Sequence, residues 1–394
     1  MRKYVVVHNR DRDGYQVALA LKQAGLLECL VTDFYAGKSP AWWVPRRLYR
    51  RYRAGLDRTN VRTARLNFIL QSIFVVTGKD MRKTWSWLDR MMGRKARRIA
   101  ARRGAMLYAY SSYISPSGSP TPGGIVIDFE YHPHPLLTAR TLQEDIASYP
   151  EMAVSHGWEM ELLEKTATSD AWRHADLVVC ASEMTRRSLV YVGCDPARIT
   201  VIPYGIEPQA ERPPPRPEGK TRFLFVGQGI QRKGPHHLVR AWEAAALPNA
   251  ELTLVCDRLD PGLEGLATRS GATLLRRQSP ESLMKLYRTA DVFVMPSLIE
   301  GFGLVYLEAL QHGCHVIGTP NTGLPDLRLG DDAVTLVEPC DVPGLAAALA
   351  RVHDMKRAGR LDPALIARQG NQRSWADFRK NVADHARAAL GVRP

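Results

Sequence analysis

Short apolar runs alternate along the chain with longer stretches in which apolar and polar residues follow a helical period. Tyr4–His8 reads as a strand, Gly14 to Gly25 as a helix, and Glu28–Thr32 as the next strand. Met106–Tyr110, Ile125–Phe129, Leu177–Ala181 and Ile199–Ile202 continue the strand set, with helices expected over Trp158–Arg173 and Met184–Val192. From Glu207 to Lys220 the pattern stops: five prolines and no periodicity mark a linker. It then restarts with a strand at Arg222–Val226 and a helix through Trp242. Strands at Glu251–Cys256, Ala272–Leu275, Val292–Met295 and His315–Ile317 alternate with helices at Pro280–Thr289 and Leu304–Gln311. Apolar strands separated by helices predict parallel sheets covered on both faces. The expected fold class is therefore α/β, with two doubly wound domains facing across a cleft. The N-terminal domain spans residues 1–205, the linker 206–220 and the second domain 221–372. A C-terminal stretch, 373–394, holds a helix from about Trp375 to Leu390 that is expected to cross back to the first domain.

Charge changes this picture in one place. The chain of 394 residues has 54 Lys+Arg against 40 acids, a net +14. Between Ala41 and Met106 stand 18 of the bases and three of the acids, so that segment carries +15 and the remainder −1. The six cysteines show no Cys-x-x-Cys pair and mostly end apolar runs, which suits buried thiols rather than a zinc site or a disulfide framework. No run reaches the roughly 18 apolar residues of a spanning helix, and the first residues lack a signal-peptide pattern. The expected location is cytoplasmic.

Two strand ends carry the candidate chemistry. Asp291 to Met295 leads through Pro296-Ser297 to Glu300-Gly301-Phe302-Gly303, and a helix follows from Leu304 with Glu308 inside it. Glycines there let backbone N–H groups approach a ligand, and the helix N-terminus adds partial positive charge. Phosphate oxygens or sugar hydroxyls suit that place, and the two glutamates can accept hydrogen bonds from paired hydroxyls. Likewise Phe223–Val226 ends in Gly227-Gln228-Gly229, followed by Arg232-Lys233-Gly234. Adjacent cations beside glycine amides suit a diphosphate. It is not a Walker A loop, since no Gly-Lys-Ser/Thr follows.

In this order these motifs resemble the retaining nucleotide-sugar glycosyltransferases of glycosyltransferase family 4, which have two Rossmann-like domains in the GT-B arrangement. The resemblance includes Val201 to Ile206, Gly227 through Gly234, Asp291 with Pro296-Ser297, the pair Glu300 and Glu308, and Thr322 to Asp326. It implies that Lys233 binds the donor diphosphate, Glu300 and the backbone of Gly301, Phe302, Gly303 and Leu304 the donor sugar, and Glu308 the ribose. The family usually has arginine where this chain has Gln228, and Arg232 can substitute from the next turn. Gly14 looks like the family's first-loop glycine. In Asp128-Phe-Glu130-Tyr-His132-Pro-His134-Pro, His132 is the first choice for the family's active-site histidine and His134 the second. Transfer with retention, assisted by the leaving phosphate, is what the resemblance implies. No metal is expected, because Lys233, Arg232 and the helix N-terminus supply the positive charge.

The basic insertion reads as an amphipathic helix in which Val44, Leu48, Tyr49, Tyr52 and Leu56 share one side and Arg46, Arg47, Arg50, Arg51 and Arg53 the other. Trp85, Trp87, Leu88, Met91 and Met92 precede a second cluster, Arg94 to Arg103. An anionic membrane surface fits residues 41–106, with a glycan or lipid-linked acceptor at the inner face of the plasma membrane. The competing expectation packs the apolar side on the domain and leaves the arginines solvated. A nucleic-acid-binding protein is the alternative of a different class, disfavoured because the charge is confined to one insertion. A sugar-nucleotide epimerase or phosphorylase would keep the fold and change the reaction. The sequence does not reveal the nucleotide, sugar or acceptor.

Overall fold

The structure is a computed structural model that describes residues 2–9, 13–38, 46–64, 68–70, 82–114, 123–166, 170–209 and 213–391. The N-terminal sheet is built from β1 (Tyr4–Val7), β2 (Leu27–Thr32), β3 (Val61–Thr63), β4 (Met106–Tyr110), β5 (Val126–Glu130), β6 (Leu177–Cys180) and β7 (Ile199–Val201). All pair in parallel, in the order β3-β2-β1-β4-β5-β6-β7. Its helices are α1 (Gln16–Gln23), α2 (Arg82–Arg103), α3 (Pro135–Ile146), α4 (Ala153–Thr166) and α5 (Glu183–Tyr191). The second sheet runs β10-β9-β8-β11-β12-β13, again all parallel. Its strands are β8 (Thr221–Val226), β9 (Ala250–Val255), β10 (Thr273–Leu275), β11 (Val292–Val294), β12 (His315–Gly318) and β13 (Val334–Leu336). Helices α6 (Pro235–Ala245), α7 (Pro261–Arg269), α8 (Pro280–Thr289), α9 (Leu304–Gln311), α10 (Val342–Arg357) and α11 (Pro363–Gly370) accompany it. Strand order reverses between β1 and β4 and between β8 and β11, and loops at such switch points form ligand crevices.

The apolar strand centres behave as their sequence requires: Val5, Val6, Tyr108, Phe225, Phe293 and Ile317 are fully buried. Several boundaries differ from expectation. The helix expected over Trp158–Arg173 is α4, which starts at Ala153 and is described as far as Thr166, and a 3-10 turn occupies Ala171–His174. Pro150 opens the short turn that feeds α4, so the helix begins before Gly157 rather than after it. Helix α3 was hidden inside the His-Pro-His-Pro segment: Pro135 is its first residue, and the His134 ring accepts the Leu136 N–H at 3.3 Å.

The basic insertion is part of the domain. β3 extends the sheet edge from within it. Residues 40–45 lie outside the described part of the chain; Arg46–Arg51 form a 3-10 helix, and the long amphipathic α-helix through Leu56 is not formed. Leu56 is buried, and Tyr52 packs against the core. Arg51 does not join a solvent-facing row either. Its Nη1 donates to both oxygens of Asp33, at 2.8 and 2.7 Å, because that buried carboxylate at the end of β2 needs a countercharge. In α2, Leu88, Met92, Ala96 and Ala100 form the buried side, while Arg90, Arg94, Arg98 and Arg102 recur every four residues on the exposed one.

Helix α12 (Trp375–Ala389) starts with a capping box between Ser374 and Asp377 and returns to the N-terminal domain, as expected. Tyr4 donates its hydroxyl to the Ala386 carbonyl at 2.9 Å, and Arg379 reaches Gln16 at 2.8 Å. Phe378 is buried among Phe129, Tyr204 and Trp375. Phe378→Ala should therefore lower stability by about 3–5 kcal/mol, read from urea unfolding. A loss under about 1 kcal/mol would mean that the crossing helix adds little to the N-terminal domain.

Candidate active site

Both loops at the second sheet's switch point converge on one carboxylate. After β8 the chain makes a 3-10 turn over Gln231–Lys233, closed by Gly234 at φ 68°. A side chain at Gly234 would strike the Pro296 carbonyl of the loop after β11, so only glycine lets the loops touch. They are stitched by Leu298 N–H to the Arg232 carbonyl at 2.9 Å. Glu300 is anchored by its own N–H to the Asn321 carbonyl, also at 2.9 Å.

The Glu300 side chain is buried. One of its oxygens takes both cations: Arg232 Nη1 at 2.8 Å and the Lys233 ammonium. Its other oxygen accepts the Gly301 N–H at 3.2 Å. Burial by itself would raise the Glu300 carboxyl, but Lys233, Arg232 and His132 outweigh it and hold the group far below the usual carboxylate range. Burial also lowers the Lys233 ammonium, with Glu300 opposing. Arg232 reaches across the cleft through Nε to Glu159 of α4, 3.2 Å away, so two cations are matched by two carboxylates from different domains.

His132 lies on the far wall of the cleft. A side chain at Gly301 would meet the Tyr131 carbonyl and the His132 backbone, and Ser182 Oγ donates to the Gly301 carbonyl. The cleft is thus closed on the Glu300 loop. His132 is exposed, and its ring lies tilted against that of Tyr131, with centroids 4.6 Å apart. His134, the second choice, is a structural residue: buried, capping α3, with Nε2 3.4 Å from Asp170. Beside His132 a cavity of about 250 Å³ is bounded by Glu130, Ser111, Glu159 and Arg232. Ser111 donates to Glu130 at 2.5 Å, and burial raises that carboxyl.

Other expected residues divide. Gly303, at φ 86°, stands at the N-terminus of α9 just before Leu304. Glu308 is half-buried and accepts the Tyr287 hydroxyl at 3.3 Å; burial raises its carboxyl. Gly227 ends β8 and Gln228 is exposed, while Arg232 supplies the extra cation beside Lys233. Phe302 offers a ligand only its backbone, because its ring is buried against Tyr204 and Gly323. Gly14, at φ 63°, is roofed by Arg53, whose Nε donates to the Gly14 carbonyl at 2.8 Å. The sequence contains an Asp-x-Asp triplet of the metal-binding kind, Asp11-Arg12-Asp13. Its first two residues lie outside the described chain, and the buried Asp13 is engaged by the Tyr15 N–H at 2.9 Å and the Tyr110 hydroxyl. Arg53, Glu130 and Glu159 were not given site roles from the sequence; a lone charge, whether on a loop, a strand or a helix, gives no sign of what it faces.

Two facing Rossmann-like domains, with glycine-rich loops and a helix N-terminus at the switch point of the second, define the GT-B class. Residues 220–355 match the family described as Glycosyl transferases group 1. The fold is thus of the GT-B kind, and the family match covers the second domain. The D-inositol 3-phosphate glycosyltransferase of Segniliparus rotundus is 29% identical over 227 residues, 51% of this chain and 49% of that protein. The chain thus spans about half the length of the curated relatives it matches. Among solved structures, sucrose-phosphate synthase from Thermosynechococcus elongatus superposes with a TM-score of 0.62 at 17% identity, over 99% of this chain and 100% of that one. The lipopolysaccharide outer core galactosyltransferase WaaB, in its apo form, gives 0.61 at 13% identity, with 99% and 100% covered. These likenesses show the two-domain fold.

Glu300→Gln should destabilise the protein by about 3 kcal/mol at neutral pH, since it leaves buried cations without their countercharge. In the wild type, a depressed carboxyl contributes fully above the ordinary carboxylate range and is lost only as pH falls below it. In the variant, Lys233 loses the partner that raised it. Its charged form then costs stability until pH climbs toward the ordinary lysine value of about 10.4. The deficit should shrink between neutral and alkaline pH in urea unfolding, and a pH-independent deficit would contradict the assigned ion group.

Proposed function

We propose that the chain transfers a sugar from a nucleotide-diphosphate sugar to a hydroxyl acceptor, with retention of anomeric configuration and without a divalent cation on the diphosphate. The observation that carries this reading is the convergence of Lys233 and Arg232 on Glu300 at the N-terminus of α9. Two cations sharing one carboxylate are ready to exchange it for a more highly charged anion. A diphosphate arriving there takes over the cations, and the Glu300 oxygens become free to accept hydrogen bonds from sugar hydroxyls. Glu308, half-buried on α9, is the residue for the ribose. The relative and the two fold neighbours described above are named for sugar transfer or sugar-phosphate synthesis, which agrees with this class of reaction.

In the transfer step the bond between the anomeric carbon and the phosphate oxygen breaks while the acceptor oxygen approaches from the same face. The acceptor proton passes to the departing phosphate. Lys233, Arg232 and the N–H groups at Gly301 to Leu304 stabilise the negative charge that develops on the leaving group. His132, across the cleft, orients sugar hydroxyls, and the closed cleft keeps water from taking the acceptor's place. An acceptor on the N-terminal side meets Gly14 and Arg53. A glycan or lipid-linked acceptor in cell-surface assembly accounts for the basic surface on that domain.

The donor is first identified by a thermal-shift screen with UDP, GDP, ADP and their sugars, since a ligand bound by the native state raises Tm. Lys233→Ala and Glu300→Ala should then each lower acceptor-dependent release of nucleoside diphosphate by roughly 10²-fold or more. Product anomeric configuration, read by NMR, should match the donor's. Folded variants with full activity would remove the assignment, and turnover lost in EDTA and restored by Mg²⁺ or Mn²⁺ would overturn the metal-free leaving group.

We further propose that the exposed arginines of α2 hold the protein on anionic membrane. Because Leu56, Leu88 and Met92 are committed to the core, the arginines carry most of the attachment, with the exposed Trp87 beside them on the same helix. Reversing Arg90, Arg94, Arg98 and Arg102 to glutamate should abolish co-sedimentation with anionic liposomes at low salt, at about 1 kcal/mol per residue. Unchanged sedimentation of the variant, or a wild type that stays in the supernatant, would exclude this surface.

A further inference from the structure

A second cluster of reactive side chains lies on the domain seam, away from the Glu300 carboxylate. Asp145, near the end of α3, points out of the N-terminal domain into the other one. There Oδ2 meets His236 Nε2 at 3.1 Å and Oδ1 meets His237 Nε2 at 2.7 Å, both from the first turn of α6. Cys340, in the loop between β13 and α10, brings its thiol to 3.6 Å from Oδ1. Asp145, His236 and His237 are buried, and Tyr149 covers both imidazoles, with ring centroids at 5.2 and 4.5 Å. Cys340 is exposed, which leaves a way in from solvent.

We infer that Asp145, His237 and Cys340 form a binding site for a single Zn²⁺ ion that clasps the two domains together. An imidazole nitrogen, a carboxylate oxygen and a thiol sulfur are donors that a tetrahedral zinc ion takes, with its fourth position open to solvent. With Zn–N and Zn–O near 2.0 Å and Zn–S near 2.3 Å, the edges of such a tetrahedron are about 3.3 Å between N and O and about 3.5 Å between S and O. From Asp145 Oδ1 the observed separations are 2.7 Å to His237 Nε2 and 3.6 Å to Cys340 Sγ, so an opening of only about half an ångström on the imidazole side admits the ion, while His236 holds the other oxygen, Oδ2. The backbone adds an independent observation. Cys340 sits at φ 64°, a left-handed conformation that a side chain adopts at a cost, and its thiol points at Asp145 rather than to solvent. On binding, the His237 imidazole becomes a ligand as its neutral Nδ1–H tautomer and the thiol gives its proton to solvent. Spacing along the sequence could not reveal this site, because its ligands come from three distant segments.

The ion would fix the seam beside the donor loop. Gln231, next to Arg232 and Lys233, donates through Nε2 to Asp145 at 2.7 Å and accepts through Oε1 from His156 Nδ1 at 2.9 Å. Protein stripped with a chelator and desalted should take up one equivalent of Zn²⁺, measured by mass spectrometry of the metal, with a rise in Tm. Co²⁺ in its place should show the intense visible bands of a four-coordinate ion and a thiolate-to-cobalt charge-transfer band. Cys340→Ser should lose that band and bind roughly tenfold more weakly or worse, as should His237→Gln. Since Cys340 is exposed, its serine variant keeps the test valid even where the buried histidine variant fails to fold. Failure of the wild type to retain the ion, or Cys340→Ser binding as tightly as wild type, overturns the site. These readouts do not depend on sugar transfer. Turnover lost in EDTA and restored by Zn²⁺ but not Mg²⁺ would implicate the clasp rather than the leaving group.

Discussion

Burying two adjacent cations is the constraint around which the rest of the molecule is arranged. Arg232 and Lys233 sit on a turn closed by Gly234, against a neighbouring loop, where little solvent reaches them. Charges so placed are tolerated only when paired and hydrogen-bonded. Glu300 supplies one countercharge from the adjacent strand end. Glu159 supplies the other from α4 of the opposite domain. The charge balance of the candidate site therefore depends on both domains being in place, and a rigid seam is a requirement of the electrostatics.

The seam meets that requirement with backbone as well as side chains. Gly301 lets the Glu300 loop lie against Tyr131 and His132, and Ser182 ties its carbonyl down. Glu183 N–H reaches Asp326 at 3.0 Å, and Ser155 N–H reaches Asp260 at 2.5 Å. Helix α12 then locks the chain's end onto its beginning, with Gly205 pressed against the backbone at Ser374 so that the two crossings run side by side. Each glycine here is required because backbone occupies the space a side chain would need.

The basic segment divides into an inner and an outer part by the same rule. Arg51 is drawn in by buried Asp33, and Arg53 covers Gly14 at the first sheet's switch point. The arginines of α2 that have no buried acid to neutralise remain on its outer stripe. One run of charge thus serves the fold, the site and the surface.

Strand and helix order, the linker, the returning C-terminal helix and the two glycine-rich loops were all legible in the sequence, because they rest on local periodicity and on residues whose backbone freedom is intrinsic. The positions of Lys233, Glu300 and Glu308 on a turn, a loop and a helix after strand ends followed from the same local pattern. What the sequence could not decide is which charge meets which. Arg51 and Arg47 are alike in the chain, as are His132 and His134, yet one member of the second pair faces the cleft and the other caps a helix. Glu159, Arg53 and Asp145 gained their partners only when segments far apart in sequence were packed together. Periodicity tells a residue whether it faces inward. The identity of its neighbour is set by tertiary packing, where a buried charge is costly unless a partner lies beside it.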